Sequence, residues 1–309
     1  MIEVRDLRKT YGELVAVDGV SFTAASGEIF GLLGPNGAGK TTTIGCLSGL
    51  LAPSGGVAAI LGHDVAREPK AAKRHLGLVP QELALYEEIS AAENLRYWGA
   101  AYGLGGTELE RRVGEVLEVV GLLDRAREPV KRFSGGMKRR LNFGCGLVHQ
   151  PRVLLLDEPT AGVDPQSRVR LLDLVREQAK AGTCVVYTTH YMEEAQALCQ
   201  RLLIIDHGRA LALGTLDELR GLMRERDLVR LSGQFDGERV ARVLADIAGL
   251  EVVSADAASL VLAVSGGSRQ LPAILSAVSA VGGTVHDATL SQPSLESLFI
   301  KLTGRELRE

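Results

Sequence analysis

EIFGLLGPNGAGKTT, residues 28–42, is an apolar run that breaks at a glycine and becomes a small-residue loop ending in lysine and two threonines. Its first half, bounded by Glu28 and Gly34, has the length and composition of a strand buried on both faces. Its second half fits GxxxxGK[ST], and a preceding strand is the context that spacing requires. In such a loop Gly34, Gly37 and Gly39 let backbone N–H groups approach phosphate oxygens. Lys40 brings charge to the outer phosphates, and the Thr41 hydroxyl suits Mg2+. Pro35, Asn36, Ala38 and Thr42 complete the loop. A glycine-rich turn with no ligand is the plain alternative, and the strand in front of it argues against that.

Outward from the loop, short apolar runs alternate with helical stretches up to about residue 220. PRVLLLDEP (151–159), TCVVYTTH (183–190) and RLLIID (201–206) are further strands of the buried kind, so the pattern predicts an α/β domain with a mostly parallel sheet. Asp157 ends one of these strands and can hold Mg2+ through water. Glu158, next to it, can polarise an attacking water. Taken alone, an Asp-Glu pair at a strand end is read equally well as a solvated turn. Between Gln81 and Ser134 the strand signals vanish. ISAAENLRYWGAAYGL (89–104) and TELERRVGEVLEVVGLL (107–123) predict a helical insert. FSGGMKRRL (133–141) then places a hydroxyl and two glycines where a helix begins, a second arrangement suited to a phosphate. TLDE (215–218) is a capping box opening one more helix through about residue 224.

Beyond that the texture changes. LVRLSG (228–233) reads as a strand, and Val240, Val243, Leu244 and Ile247 mark one face of a helix. LEVVSA and SLVLAVS form a hairpin. Leu271, Ile274, Leu275 and Val278 mark a second helix, and TVHDATL a last strand. The order βαββαβ predicts a ferredoxin-like module. A closing helix starts at Pro293, with Leu295, Leu298, Phe299 and Leu302 on one side. RERD (224–227) is the best boundary, giving domains 1–225 and 226–309.

Composition narrows the function classes. Net charge is −3, with 46% hydrophobic and 24% charged residues, which is ordinary for a globular chain and unsuited to broad nucleic-acid binding. Cys46, Cys145, Cys184 and Cys199 have no CxxC or metal-ligand spacing, so reduced, buried thiols are expected. No apolar run approaches the ~18–20 residues of a membrane span, and the charged N-terminus lacks a signal-peptide core. The expectation is a soluble chain that reaches a membrane only through a partner.

Together with four further stretches, these motifs resemble the ATP-binding cassette (ABC) family of ATPases over residues 1–220. Tyr11 in KTYG matches the aromatic that stacks on adenine. Gln81 in LVPQE matches the glutamine that contacts Mg2+ and water. Ser134, Gly135 and Gly136 match the family signature, with Phe133 and Met137 in place of its commonest Leu and Gln. His190 in YTTH matches the histidine that reaches the γ-phosphate, and Asp164 in AGVDP the loop that communicates between subunits. The resemblance implies an α/β P-loop NTPase cassette: a RecA-like core sheet, an antiparallel β part and a helical subdomain at about 82–134. The small α+β ferredoxin-like domain follows it.

It also implies a Mg2+-dependent ATPase with Glu158 and His190 as catalytic groups and Thr41, Gln81 and Asp157 at the metal. The signature of one subunit closes over the ATP of the other. This chain has one phosphate loop and one signature, so a homodimer is the symmetric way to complete two sites. LALYEEISAAENL (83–95), the signature, GHDV (62–65) and PSLESLFIKLTGRE (293–306) resemble ABC-2-type exporters, including the daunorubicin-resistance ATPase group. Those act through separate integral membrane permease subunits, which would hold this chain at the cytoplasmic face of the cell membrane. An importer ATPase is the alternative, and after it a non-transport ATPase on nucleic acid or ribosomes. No direct nucleic-acid partner is expected.

Overall fold

A computed structural model of the chain describes residues 1–222, 227–265, 267–291 and 295–303. The expected helix start at Pro293, the end of the 293–306 stretch and residues 224–226 of the expected boundary lie outside the described residues. The chain forms two compact units, Met1–Leu213 and Gly214–Glu309.

The first unit opens with two long strands, β1 (Ile2–Tyr11) and β2 (Leu14–Ala24), followed by β3 (Ile29–Leu33), α1 (Lys40–Leu47), β4 (Gly55–Ile60), the short β5 (His63–Asp64), α2 (Pro69–Lys73) and β6 (Leu76–Val79). Three helices come next: α3 (Ala91–Ala101), α4 (Gly106–Val119) and α5 (Gly135–Leu147). The chain then alternates through β7 (Val153–Asp157), α6 (Pro165–Lys180), β8 (Cys184–Thr189), α7 (Met192–Leu198), β9 (Arg201–Asp206) and β10 (Arg209–Thr215). β2, β1, β4 and β5 make an antiparallel sheet in that order. The second sheet runs β10-β9-β3-β8-β7-β6, and β9, β3, β8, β7 and β6 are parallel neighbours.

Every residue of β3, β7 and β8 is buried, which is why these strands read as unbroken apolar runs rather than alternating ones. Between the two sheets lies one core that includes Ile2, Leu7, Phe30, Ile44 and Leu155. Phe22 from the antiparallel sheet stacks on Phe30 of β3 with ring centroids 4.6 Å apart. All four cysteines are free and buried.

The helical insert is α3, α4 and the turns around them. Ser90 and Glu93 form a reciprocal capping box at the start of α3. Both helices are shorter than their apolar stretches suggest, because Gly103 and Gly121 follow their ends with φ +87° and +64°. That left-handed geometry stops a helix and suits glycine. Buried Asn94 and Asn142 then fix the segment before α3, Asn142 accepting from the Ala84 N–H and Asn94 from that of Tyr86.

The second unit carries α8 (Leu216–Gly221), β11 (Asp227–Gln234), α9 (Gly237–Ala245), β12 (Leu250–Ala255), β13 (Ser259–Val264), α10 (Gly267–Ala280), β14 (Thr284–Ser291) and α11 (Leu295–Thr303). Its sheet, in the order β12-β13-β11-β14, is antiparallel throughout. Val240, Leu244, Ile274 and Val278 bring α9 and α10 onto one face of it. Thr215 and Glu218 cap α8 reciprocally, and α8 packs with α11. The units therefore divide after Leu213, and α8 goes with the second unit, although a boundary at 225/226 would leave it with the first. On α11, Leu295, Leu298 and Phe299 are buried as expected. Leu302 is 39% exposed, however, and Ile300 takes the buried place.

Candidate nucleotide and hydrolysis site

The loop between β3 and α1 is built for close approach. Gly39, the N-cap of α1, has φ +102°, and a Cβ there would sit 2.5 Å from the Ala16 carbonyl oxygen. No other residue type fits both constraints. With that turn made, α1 starts at Lys40. The Lys40 ammonium, 4% exposed, donates to the carbonyls of Gly34 (2.7 Å) and Pro35 (3.0 Å) and pairs with Glu158 Oε1 at 3.0 Å.

Strand order brings the carboxylates to the same end of the sheet. β8 lies between β3 and β7, with Leu33 in register with Thr189 and Asp157 with Thr188. Thr188 Oγ1 donates to Asp157 Oδ1 (2.7 Å) and accepts from the Glu158 N–H (3.0 Å). Glu158 itself has φ +44°. That left-handed backbone is costly for a non-glycine residue and is held only where the surroundings over-determine it. Here it turns the Glu158 carboxylate toward Lys40 on one side and His190 Nδ1, at 3.1 Å, on the other. Burial pushes the Asp157 carboxyl above the ordinary carboxylate range, against the hydroxyls of Thr188 and Thr41 that pull it back.

The structure thus gathers Gly34, Pro35, Lys40, Thr41, Asp157, Glu158 and His190. Tyr11, Gln81, Ser134 and Asp164 make their hydrogen bonds and ring contacts with other residues. Tyr11 is 46% exposed at the end of β1, with the Lys9 ammonium 5.0 Å from its ring centre. Gln81 is exposed, and its carbonyl accepts from Arg139, which also donates to the Ala161 carbonyl. Ser134 caps α5, accepting from the Met137 N–H. Asp164 caps α6, accepting from the Ser167 N–H, and that bond holds its carboxyl below the usual range. The caps of α5 and α6 abut, since a Cβ on Gly136 would lie 2.1 Å from Ser167 Oγ.

Thr188 was not legible as a site residue, because its role follows from the β7–β8 register. Asn36, Gly37, Thr41 and Thr42 are exposed or partly so.

A glycine loop at the start of a helix, with its lysine facing an Asp-Glu pair two strands away in a parallel sheet, defines a P-loop ATPase. The sequence comparisons refine that class. Residues 17–161 match the ABC transporter family. The linearmycin resistance ATP-binding protein LnrL of Bacillus subtilis is 40% identical over 311 residues, covering all of both chains. The daunorubicin resistance ATP-binding protein DrrA3 of Streptomyces coeruleorubidus is 40% identical over 310 residues, 99% of this chain and 97% of that one. A solved ATP-binding subunit of an ABC transporter superposes with a TM-score of 0.67 and 35% identity, over 72% of this chain and 93% of that chain. The chain belongs to the ABC transporter family, as an ATPase standing among the ATP-binding proteins of resistance and export systems.

Proposed function

We infer that this chain hydrolyses Mg-ATP between two copies of itself and uses the cycle to drive export through separate membrane permease subunits. The observation that carries the reading is the buried chain Lys40–Glu158–His190 beside Asp157–Thr188. Gly34–Thr42 cradles the phosphates, Lys40 brings positive charge to the outer ones, and Tyr11 stacks on the base. Thr41 and Asp157 present only oxygen donors to one spot, the chemistry Mg2+ prefers, and Gln81 completes that set. When bound, Mg2+ neutralises developing charge on the phosphate oxygens. Glu158 accepts a hydrogen bond from the attacking water and orients it, and His190 holds the γ-phosphate side. Ser134, Gly135 and Gly136 of the second copy close over the phosphate with a capped helix N-terminus, and Asp164 faces the partner beside them.

The permease fits a cavity of about 930 Å³ between the helical insert and the sheet, lined by Leu50, Lys73, Leu76, Trp98 and Tyr102 among others. Leu50 is 70% exposed and Tyr102 40%, more apolar surface than a solvated wall needs. Among the described residues no helix is long and apolar enough to cross a membrane. This supports a subunit held by the permease on the cytoplasmic face of the cell membrane. The resistance relatives support a drug-like cargo.

The test is Glu158→Gln. ATP binding should persist, while phosphate release falls ~10²-fold or more, the loss typical of removing a positioned base. Undiminished hydrolysis would overturn the assignment.

A further inference from the structure

Behind the reacting pair lies a second carboxylate that the assignments above leave unused. Glu194 on α7 is 3% exposed and receives three hydroxyls. Thr160 Oγ1 donates to its Oε1 (2.7 Å), and Tyr187 Oη (2.8 Å) and Thr189 Oγ1 (3.0 Å) donate to its Oε2. Arg168 Nε, from α6, stands 3.5 Å from Oε1, with its guanidinium 4.7 Å from the Tyr191 ring centre. Taking a carboxylate out of water is costly unless charge-assisted hydrogen bonds compensate. Here the compensating donors come from particular places. Thr160 is two residues past Glu158, and Thr189 immediately precedes His190. The Thr189 hydroxyl accepts from the Tyr191 N–H (2.9 Å) while donating to Glu194, so the backbone on both sides of His190 is tied down. Tyr187 and Thr160, fully buried, are 3.4 Å apart and close the ring.

We propose that Glu194 is the positioning residue for hydrolysis: through Thr160 and Thr189 it fixes the segments that carry Glu158 and His190, and so their 3.1 Å contact. Glu194 is buried, and its hydrogen-bond partners are all protein groups. Its effect passes through the Thr160 and Thr189 hydroxyls, with the Arg168 guanidinium beside its Oε1 as a nearby positive charge. An amide removes the charge facing Arg168 and turns one acceptor end into a donor, so at least one of these hydroxyls must reverse to accept and the set of bonds changes. The sheet beneath needs none of this, since β7 and β8 are held by their own ladder.

The proposal rests on Glu158 and His190 being the hydrolytic pair, and the test separates the two claims. Steady-state ATPase of the full-length chain would be measured for wild type, Glu158→Gln, Glu194→Gln, Thr189→Val and Thr189→Ser, with the melting temperature of each. Displacing reacting groups by fractions of an ångström costs rate rather than binding. Glu194→Gln and Thr189→Val should therefore lose ~10–100-fold in kcat with KM for ATP within about twofold, and Thr189→Ser, which keeps the hydroxyl, should recover wild-type kcat. A folded Glu194→Gln with unchanged kcat would overturn the proposal. Should Glu194→Gln fail to fold, an unchanged kcat in Thr189→Val would do so. If Glu158→Gln keeps full activity, the assignment of the pair itself fails, and the role proposed for Glu194 fails with it.

Discussion

His149 shows at single-residue scale how burial sets a pH limit away from the candidate site. Its ring stacks on Tyr102 with centroids 3.5 Å apart, Nε2 bonds the Leu76 carbonyl at 3.0 Å, and Nδ1 is buried without a partner. Burial, with Arg112 nearby adding repulsion, pulls its pKa down to about 4. In the unfolded chain it titrates near the ordinary value of about 6.5. The unfolded state then binds the extra proton first, so this contribution to stability is present above about 6.5 and is lost as pH falls toward 4. His149→Phe keeps the stack and cannot titrate. Wild type should lose stability relative to that variant between pH 7.5 and 5, read as the shift in urea midpoint; parallel midpoints would refute the assignment. No motif marks His149, because its environment is assembled from α3, β6 and the end of α5. Lys40 and Glu158, by contrast, stand in local patterns that announce themselves.

At the scale of elements, the abutting starts of α5 and α6 give two adjacent glycines opposite tolerances. A Cβ on Gly136 meets Ser167 Oγ at 2.1 Å and Ser167 Cβ at 2.7 Å, whereas one on Gly135 meets nothing within 4 Å. Overpacking of this kind costs about 1–3 kcal/mol, while alanine at an open helical position gains up to about 1 kcal/mol over glycine. In the absence of nucleotide, Gly136→Ala should lower the melting temperature and Gly135→Ala should hold or raise it; equal effects would show that the two helix starts do not press together. The sequence offers SGG as a phosphate motif with both glycines alike. Only the packing of α5 on α6 distinguishes a glycine that α6 needs from one left free to face a ligand. The strands buried on both faces and the helices of the insert are plain from periodicity, whereas the half-exposed strands β1, β2 and β4 carry no unbroken apolar run and are not legible in the residues. Among the legible elements, the errors are at ends, where Gly103 and Gly121 stop helices early and Ile300 displaces Leu302.

At the scale of the whole molecule, the signature is the part left unexplained by one chain. No hydrogen bond among the described residues joins Ser134, Gly135 or Gly136 to the Lys40–Glu158–His190 group, and Ser134 and Gly135 are exposed. An exposed, phosphate-suited helix start that is not bonded to its own phosphate loop is what a head-to-tail dimer would use. The mass of Glu158→Gln in solution should shift from monomer to dimer on adding Mg-ATP, and Ser134→Arg should abolish the shift. A constant monomer would refute the shared site. A constant dimer would point to the second unit as the assembly element, and the measurement would be repeated without residues 226–309.

Local chemistry determined much of this protein from the sequence alone. A glycine loop, a buried strand and an Asp-Glu pair are each set within a dozen residues, because φ preferences, burial of apolar runs and the spacing GxxxxGKT act over short range. Tertiary structure decided what depends on residues far apart in the chain. Thr188 serves Asp157 and Glu158 through strand register. Glu194 collects hydroxyls from β7's trailing loop and from β8, and α8 leaves the first unit to pack with α11. In each case the partner is chosen by which surfaces meet once the sheets form, and no pattern along the chain encodes that meeting.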